Sequence, residues 1–106
     1  MNNINLDSIK EKEVVKGFRG KFIHSENMTH AYWSIDKGAD LPEHAHPHEQ
    51  VVNILEGKFE MTVGGEKMTI QPGDIIVIPS NIPHTGKAIT DCRILDVFSP
   101  VREDMK

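Results

Sequence analysis

Between Lys58 and Gln71 the sequence keeps a period of two on both sides of a glycine pair. Phe59, Met61 and Val63 alternate with Lys58, Glu60 and Thr62; after Gly64-Gly65, Met68 and Ile70 alternate with Lys67, Thr69 and Gln71. Such a period sends successive side chains to opposite faces of an extended strand. Two adjacent glycines accept positive φ without steric cost, which a two-residue hairpin turn requires. A chain organised round this hairpin is a sheet protein.

The rest of the sequence agrees. Phe18, Phe22 and His24 share one parity, while Met28, His30 and Tyr32 face away from Ala31, Trp33 and Ile35. Asp36-Lys37-Gly38 and Gln71-Pro72-Gly73-Asp74 are turns. Ile75 to Ile78 is apolar at every position and is expected to be covered on both faces. Pro79 to Pro83 is a loop, and Arg93 to Ser99 is a last strand. Helical signal is confined to Ser8-Ile9-Lys10-Glu11, whose spacing is that of a capping box and predicts one helical turn. Strands every eight to twelve residues, separated by turn chemistry, predict a small all-β antiparallel sandwich or barrel. With 106 residues and no linker or repeat, residues 1–106 form one domain.

Charge and cysteine usage narrow the partners. Sixteen acidic against twelve basic side chains leave a net charge of −4, without the basic face that nucleic acid requires. No apolar run approaches the roughly 20 residues that cross a bilayer, and the polar start Met1-Asn2-Asn3 is no signal peptide. A single cysteine, Cys92, forms no internal disulfide, and a cytoplasmic location is expected. Any metal must then be held by histidine, carboxylate or amide.

Three of the six histidines, His44, His46 and His48, fall within five residues. On a strand, His44 and His46 would point the same way and could present two imidazoles to one ion, Zn, Fe, Mn or Ni. The same spacing also suits a solvated turn. His84, between Pro83 and Thr85 in a loop after an apolar strand, is a third candidate. His48, after Pro47, is placed either at the rim or behind the ligands, and His24, His30 and Cys92 are assigned no role.

The punctuation around these histidines resembles the cupin family. Its first motif runs here from Gly38 through His44 and His46 to Gln50, where the family has glutamate, and Gly57. The second runs through Gly73, Pro79, Asn81 in a glycine position, His84, and Ala88 in place of asparagine. Fifteen residues separate the motifs, 38–57 and 73–88, and every spacing fits. The resemblance implies a single cupin domain, a double-stranded β-helix or jelly-roll barrel, with one divalent metal on His44, His46, Gln50 and His84. Asn81 tolerates positive φ nearly as well as glycine. Gln50 brings no charge, so the ion would keep its full +2 and favour an anionic substrate. Glu49 as the fourth ligand would break the step of six residues to Gly57.

In the last strand Ile94, Asp96 and Phe98 share a face opposite Leu95 and Val97. A carboxylate between two large apolar side chains costs several kcal/mol to bury unless it is paired or functional; an edge strand would leave it in solvent. Arg102, beyond Pro100, is either a solvated tail charge or a clamp for a carboxylate. This ending, Asp96 to Asp104, is similar to that of the KdgF group of cupins, as are the hairpin Glu56 to Glu66 and the His-Pro-His-Glu-Gln stretch. Asn53, where an aromatic is frequent in that group, and Lys87 depart from it.

That resemblance implies an enzyme that converts 4,5-unsaturated uronates, from pectin or alginate, to linear keto acids. Asp96 would donate a proton to C4, Arg102 would anchor the substrate carboxylate, and Phe98 would form an apolar wall. Two other functions suit a cupin barrel: a metal-dependent dioxygenase, which needs neither Asp96 nor Arg102, and a non-catalytic binder of sugars or effectors. A homodimer is expected, since Leu95 and Val97 oppose the active face.

Overall fold

A computed structural model describes residues 1–106 as two antiparallel sheets closed over a common core. The strands are β1 (Lys12–Val15), β2 (Phe18–His24), β3 (Thr29–Ile35), β4 (Asp40–His44), β5 (Glu49–Glu56), β6 (Phe59–Val63), β7 (Glu66–Ile70), β8 (Ile75–Ile78), β9 (His84–Ala88) and β10 (Cys92–Ser99). Six form one sheet in the order β1-β2-β3-β10-β5-β8, and the other four form the second as β4-β9-β6-β7. This is the jelly-roll arrangement expected from the sequence.

Period two decides which side chains fill the barrel. Thr29, Ala31, Trp33 and Ile35 of β3 point inward, as do Ile94, Asp96 and Phe98 of β10. They meet Phe59, Met61, Ile70 and Ala88 from the smaller sheet. The β6–β7 hairpin turns through Gly64 and Gly65 at φ 55° and 84°, and Asn81 takes φ 64° where a glycine would be free to do so. Gly20 matters for a different reason. A Cβ there would lie 2.8 Å from the Phe22 ring and 2.9 Å from the Trp33 ring, so only glycine lets the indole lie against β2.

Three local expectations are corrected. The capping spacing at Ser8 starts no helix: a short 3₁₀ turn, Leu6–Ser8, lies before it under an Asn5 cap, and β1 follows. Glu11 instead pairs with Arg19 on β2, so a strand contact takes the residue that a helix would have used. Within the single chain the apolar run Ile75–Ile78 is not covered on both faces: β8 is the outer strand of its sheet, and Ile75 and Val77 are 62% and 57% exposed. His84 opens β9 rather than lying in a loop. Cys92 opens β10 and is buried, with its thiol against the carbonyls of Lys58 and Thr90.

Candidate metal centre and acid site

One cavity of about 190 Å³ runs into the barrel, and every site residue expected from the sequence lines it. His44 ends β4, Gln50 is the second residue of β5 and His84 begins β9. His46 sits in the connection between β4 and β5, so the two histidines do not share a strand face as alternation would have it. The turn brings them together instead, with ring centroids 5.8 Å apart. The His84 ring lies 4.1 Å from that of His44 and 5.0 Å from that of His46.

All three imidazoles are oriented by the main chain. The Nδ1 of His44 lies 3.0 Å from the Pro42 carbonyl, that of His46 2.9 Å from the His48 carbonyl, and that of His84 2.8 Å from the Ile82 carbonyl. A carbonyl only accepts, so each Nδ1 carries the proton and each Nε2 keeps a lone pair. One nitrogen from each ring lies within 4.8 Å of the others. The Nε2 of His84 is buried without a partner. Burial, and the charges of its neighbours, hold His46 and His84 below the usual imidazole range, so both are neutral and able to bind a cation.

Gln50 completes the group. Its Oε1 lies 3.1 Å from His46 Nε2. With Nδ1 already donating, neutral His46 has no proton to give this oxygen, so two electron-rich atoms face each other. A separation near 3 Å is what two atoms bound about 2.1 Å from one cation would have. Three imidazoles and an amide oxygen therefore suit a divalent transition metal.

Deeper on the same wall lies Asp96, 8% exposed. The Trp33 indole N–H donates to its Oδ2 at 3.0 Å, and Oδ1 is buried with no partner. Burial pushes its pKa from an ordinary 3.8 up to about 6, against the opposing pull of the nearby Gln50 amide, the Trp33 N–H and the Arg102 charge. The solvent-exposed edge placement of Asp96 is thus overturned in favour of the buried one.

Arg102 is no solvated tail either. Beyond β10 its backbone N–H donates to Thr29 Oγ1 at 2.8 Å, and its side chain is only 11% exposed. The guanidinium lies 4.6 Å above the Phe98 ring, close enough for a cation–π contact. A 3₁₀ turn, Glu103–Met105, follows and brings Met105 to the cavity wall. His48 stands beside His46 at 5.6 Å and does not line the cavity; its Nδ1 is buried without a partner and its carbonyl orients His46, which places it behind the ligands.

Trp33, Thr29 and Asp104 were not singled out in the sequence as site residues. Trp33 alternates as a core residue should, and its polar N–H alone hints at a partner inside. Thr29 and Asp104 act on Arg102 across 73 residues and across a turn, respectively, contacts no local pattern reports.

Comparison with known proteins agrees with this geometry. The family model described as "Cupin domain" matches residues 31–98. The pectin degradation protein KdgF of Dickeya dadantii is 30% identical over 101 residues, 92% of each chain. Among solved structures, KdgF from a Halomonas species superposes with a TM-score of 0.89 at 32% identity, covering 97% of this chain and 96% of that one. An RmlC-like cupin from Shewanella frigidimarina gives 0.90 at 28% identity, with 94% and 91% covered.

Proposed function

The chain belongs to the cupin family and is similar to the KdgF proteins, and from that premise we propose that it converts 4,5-unsaturated uronates to linear keto acids with one divalent metal. One observation carries the reading. A buried carboxyl with a free oxygen, Asp96, shares a cavity with a histidine triad and with a cation on an aromatic face, Arg102 on Phe98. A general acid, a Lewis-acid site and a carboxylate anchor are what addition of water to an anionic enol ether needs.

His44, His46, His84 and the Gln50 carbonyl would hold the metal, which when bound supplies positive charge to polarise the substrate's oxygen atoms. The protein's own residues do the rest. Arg102 binds the uronate carboxylate, and Phe98, its ring 4.6 Å from the guanidinium, bounds the sugar on its apolar side. Trp33 occupies Asp96 Oδ2, so the proton of the acid sits on Oδ1. From there it passes to C4, and the π electrons of C4=C5 form the new C–H bond. The resulting cation at C5 takes the oxygen of water, whose released proton restores Asp96. The C5 hemiketal then breaks its bond to the ring oxygen, and the hydrate left at C1 loses water. The net change is an isomerisation with no oxidant.

A decisive test is incubation with an unsaturated monouronate while the enol-ether absorbance is followed. Loss of absorbance without oxygen uptake supports the reading. Oxygen consumption with a catechol, flavonol or diketone would replace it by the dioxygenase, and tight uronate binding without turnover by the non-catalytic binder.

We also propose that a second copy covers the outer face of the larger sheet. Val77, Val51, Val97 and Ile23 lie in one row across β8, β5, β10 and β2, with His30 of β3 between the last two. All are half-buried or exposed, and Ile75 and Leu95 extend the surface in the next row. A largely apolar sheet face, interrupted by His30 and Asn53, is more than scattered surface residues and matches itself across a two-fold axis.

A further inference from the structure

We propose that Asp104 is a positioning residue for Arg102: it grips one edge of the guanidinium and turns the other toward the cavity, where a substrate carboxylate is received. The proposal rests on the uronate reading above and adds to it the residue that sets the anchor's orientation.

The geometry is bidentate. Arg102 Nε donates to Asp104 Oδ1 at 3.0 Å, and Nη2 donates to Oδ2 at 2.8 Å. A guanidinium has two edges that can hold a carboxylate in this way, Nε with Nη2 and Nη1 with Nη2. Asp104 takes the first. No protein acceptor takes Nη1, and Arg102 lines the cavity. Three contacts fix the residue together: Thr29 Oγ1 accepts its backbone N–H, the Phe98 ring lies 4.6 Å from the guanidinium carbon, and Asp104 holds one edge of the group and so sets its rotation. Remove the last, and the planar group can still lie on Phe98 but turn in place. The free edge then no longer faces the substrate.

Asp104 differs from an ordinary surface partner. Its side chain is 61% exposed while that of Arg102 is 11% exposed, so the pair joins a solvent-facing carboxylate to a nearly buried cation. Asp104 is the middle residue of the C-terminal 3₁₀ turn, whose next residue, Met105, packs against the core and keeps the turn over the mouth. The exposed position makes a clean experiment possible, since replacing Asp104 removes no core packing.

Two roles for Asp104 predict opposite signs. A positioning residue helps the substrate bind, whereas a carboxylate that merely occupies Arg102 competes with it. The test compares the parent with Asp104→Ala, Asp104→Asn and Asp104→Glu, using 4,5-unsaturated galacturonate. Turnover is read from absorbance, and affinity from the fluorescence of Trp33, the single tryptophan and a residue of the cavity wall. Positioning predicts that Asp104→Ala raises KM and Kd about tenfold, with kcat changed less, because a misaligned anchor weakens ground and transition states alike. Asp104→Asn, which keeps one acceptor, should fall between, and Asp104→Glu should recover most of the affinity. In an Arg102→Ala background, Asp104→Ala should have no further effect.

Unchanged or lower KM in Asp104→Ala overturns the proposal, as do additive losses in the double variant. If the parent binds the uronate but does not convert it, the reaction reading fails and the Kd series still decides Asp104. If the parent binds none, Arg102 has no carboxylate to hold and both readings fall.

Discussion

Trp33 on β3 and Asp96 on β10 are diagonal neighbours across paired strands, and the indole N–H donates to Oδ2 of the carboxyl at 3.0 Å while Oδ1 has no partner. The indole has a donor and no acceptor, so it can serve only the unprotonated oxygen of a carboxylic acid. The pair thus distinguishes two chemically equivalent atoms.

Asp96→Asn should abolish uronate conversion, by roughly 10²–10⁴-fold, because an amide cannot deliver the proton. Metal content should be unchanged, and the melting temperature equal or higher, since a neutral amide is cheaper to bury than a carboxylate. Turnover, metal and melting temperature measured on the one variant check this; parental turnover would place the acid elsewhere.

The raised pKa of Asp96 makes a statement about stability. An acid with its pKa raised from 3.8 to about 6 on folding binds its proton more tightly in the native state. Its contribution is complete below about pH 4 and is lost as pH rises through 6, on the order of 2–3 kcal/mol. His46 and His84, held below the usual range by burial, act oppositely, and what they contribute is lost on acidification. Denaturant unfolding of the metal-free parent and Asp96→Asn between pH 4 and 8 separates the two. Asp96→Asn minus parent should grow from pH 4 to about 6 and then level.

His84→Ala should lose most of the bound metal after mild purification, and His44→Ala with His84→Ala all of it. Gln50→Glu should hold metal more tightly and turn over uronate more slowly. The new carboxylate cancels one unit of positive charge and stands beside Asp96. Elemental analysis and metal titration check both, and unchanged affinity in Gln50→Glu would remove Gln50 from the ligand set.

Arg102→Ala should raise KM for the uronate more than it lowers kcat, the signature of an anchor used equally before and during reaction. Equal KM would free Arg102 of that role.

Light scattering should find two copies per particle. Val97→Arg should reduce this to one without loss of fold, since the side chain points away from the core. A parent that is already monomeric would remove the sheet-face contact.

Strand positions, the Gly64-Gly65 hairpin and the inward set Ile94, Asp96 and Phe98 were legible because alternation is a local property of the chain. The cluster of His44, His46, Gln50 and His84 was legible through motif spacing, even though His46 reaches it from a turn. Where reading failed, the cause was tertiary. Ile75–Ile78 looks the same in a central strand and an outer one, and only sheet order tells them apart. At Ser8 the capping pattern gave way to a 3₁₀ turn capped by Asn5, and Glu11, its other member, lies against Arg19 of β2. Trp33 entered the site through Gly20, a missing side chain that leaves room for a ring.

The carbonyls of Pro42, His48 and Ile82 have one consequence more. They freeze three imidazole rotors while the chain folds, so the entropy of assembling the ligands has already been spent when an ion arrives. A chelator should therefore empty the site without melting the barrel, and the ion should return without refolding. Loading would then follow the metals the cell offers at a given moment, rather than those present at synthesis.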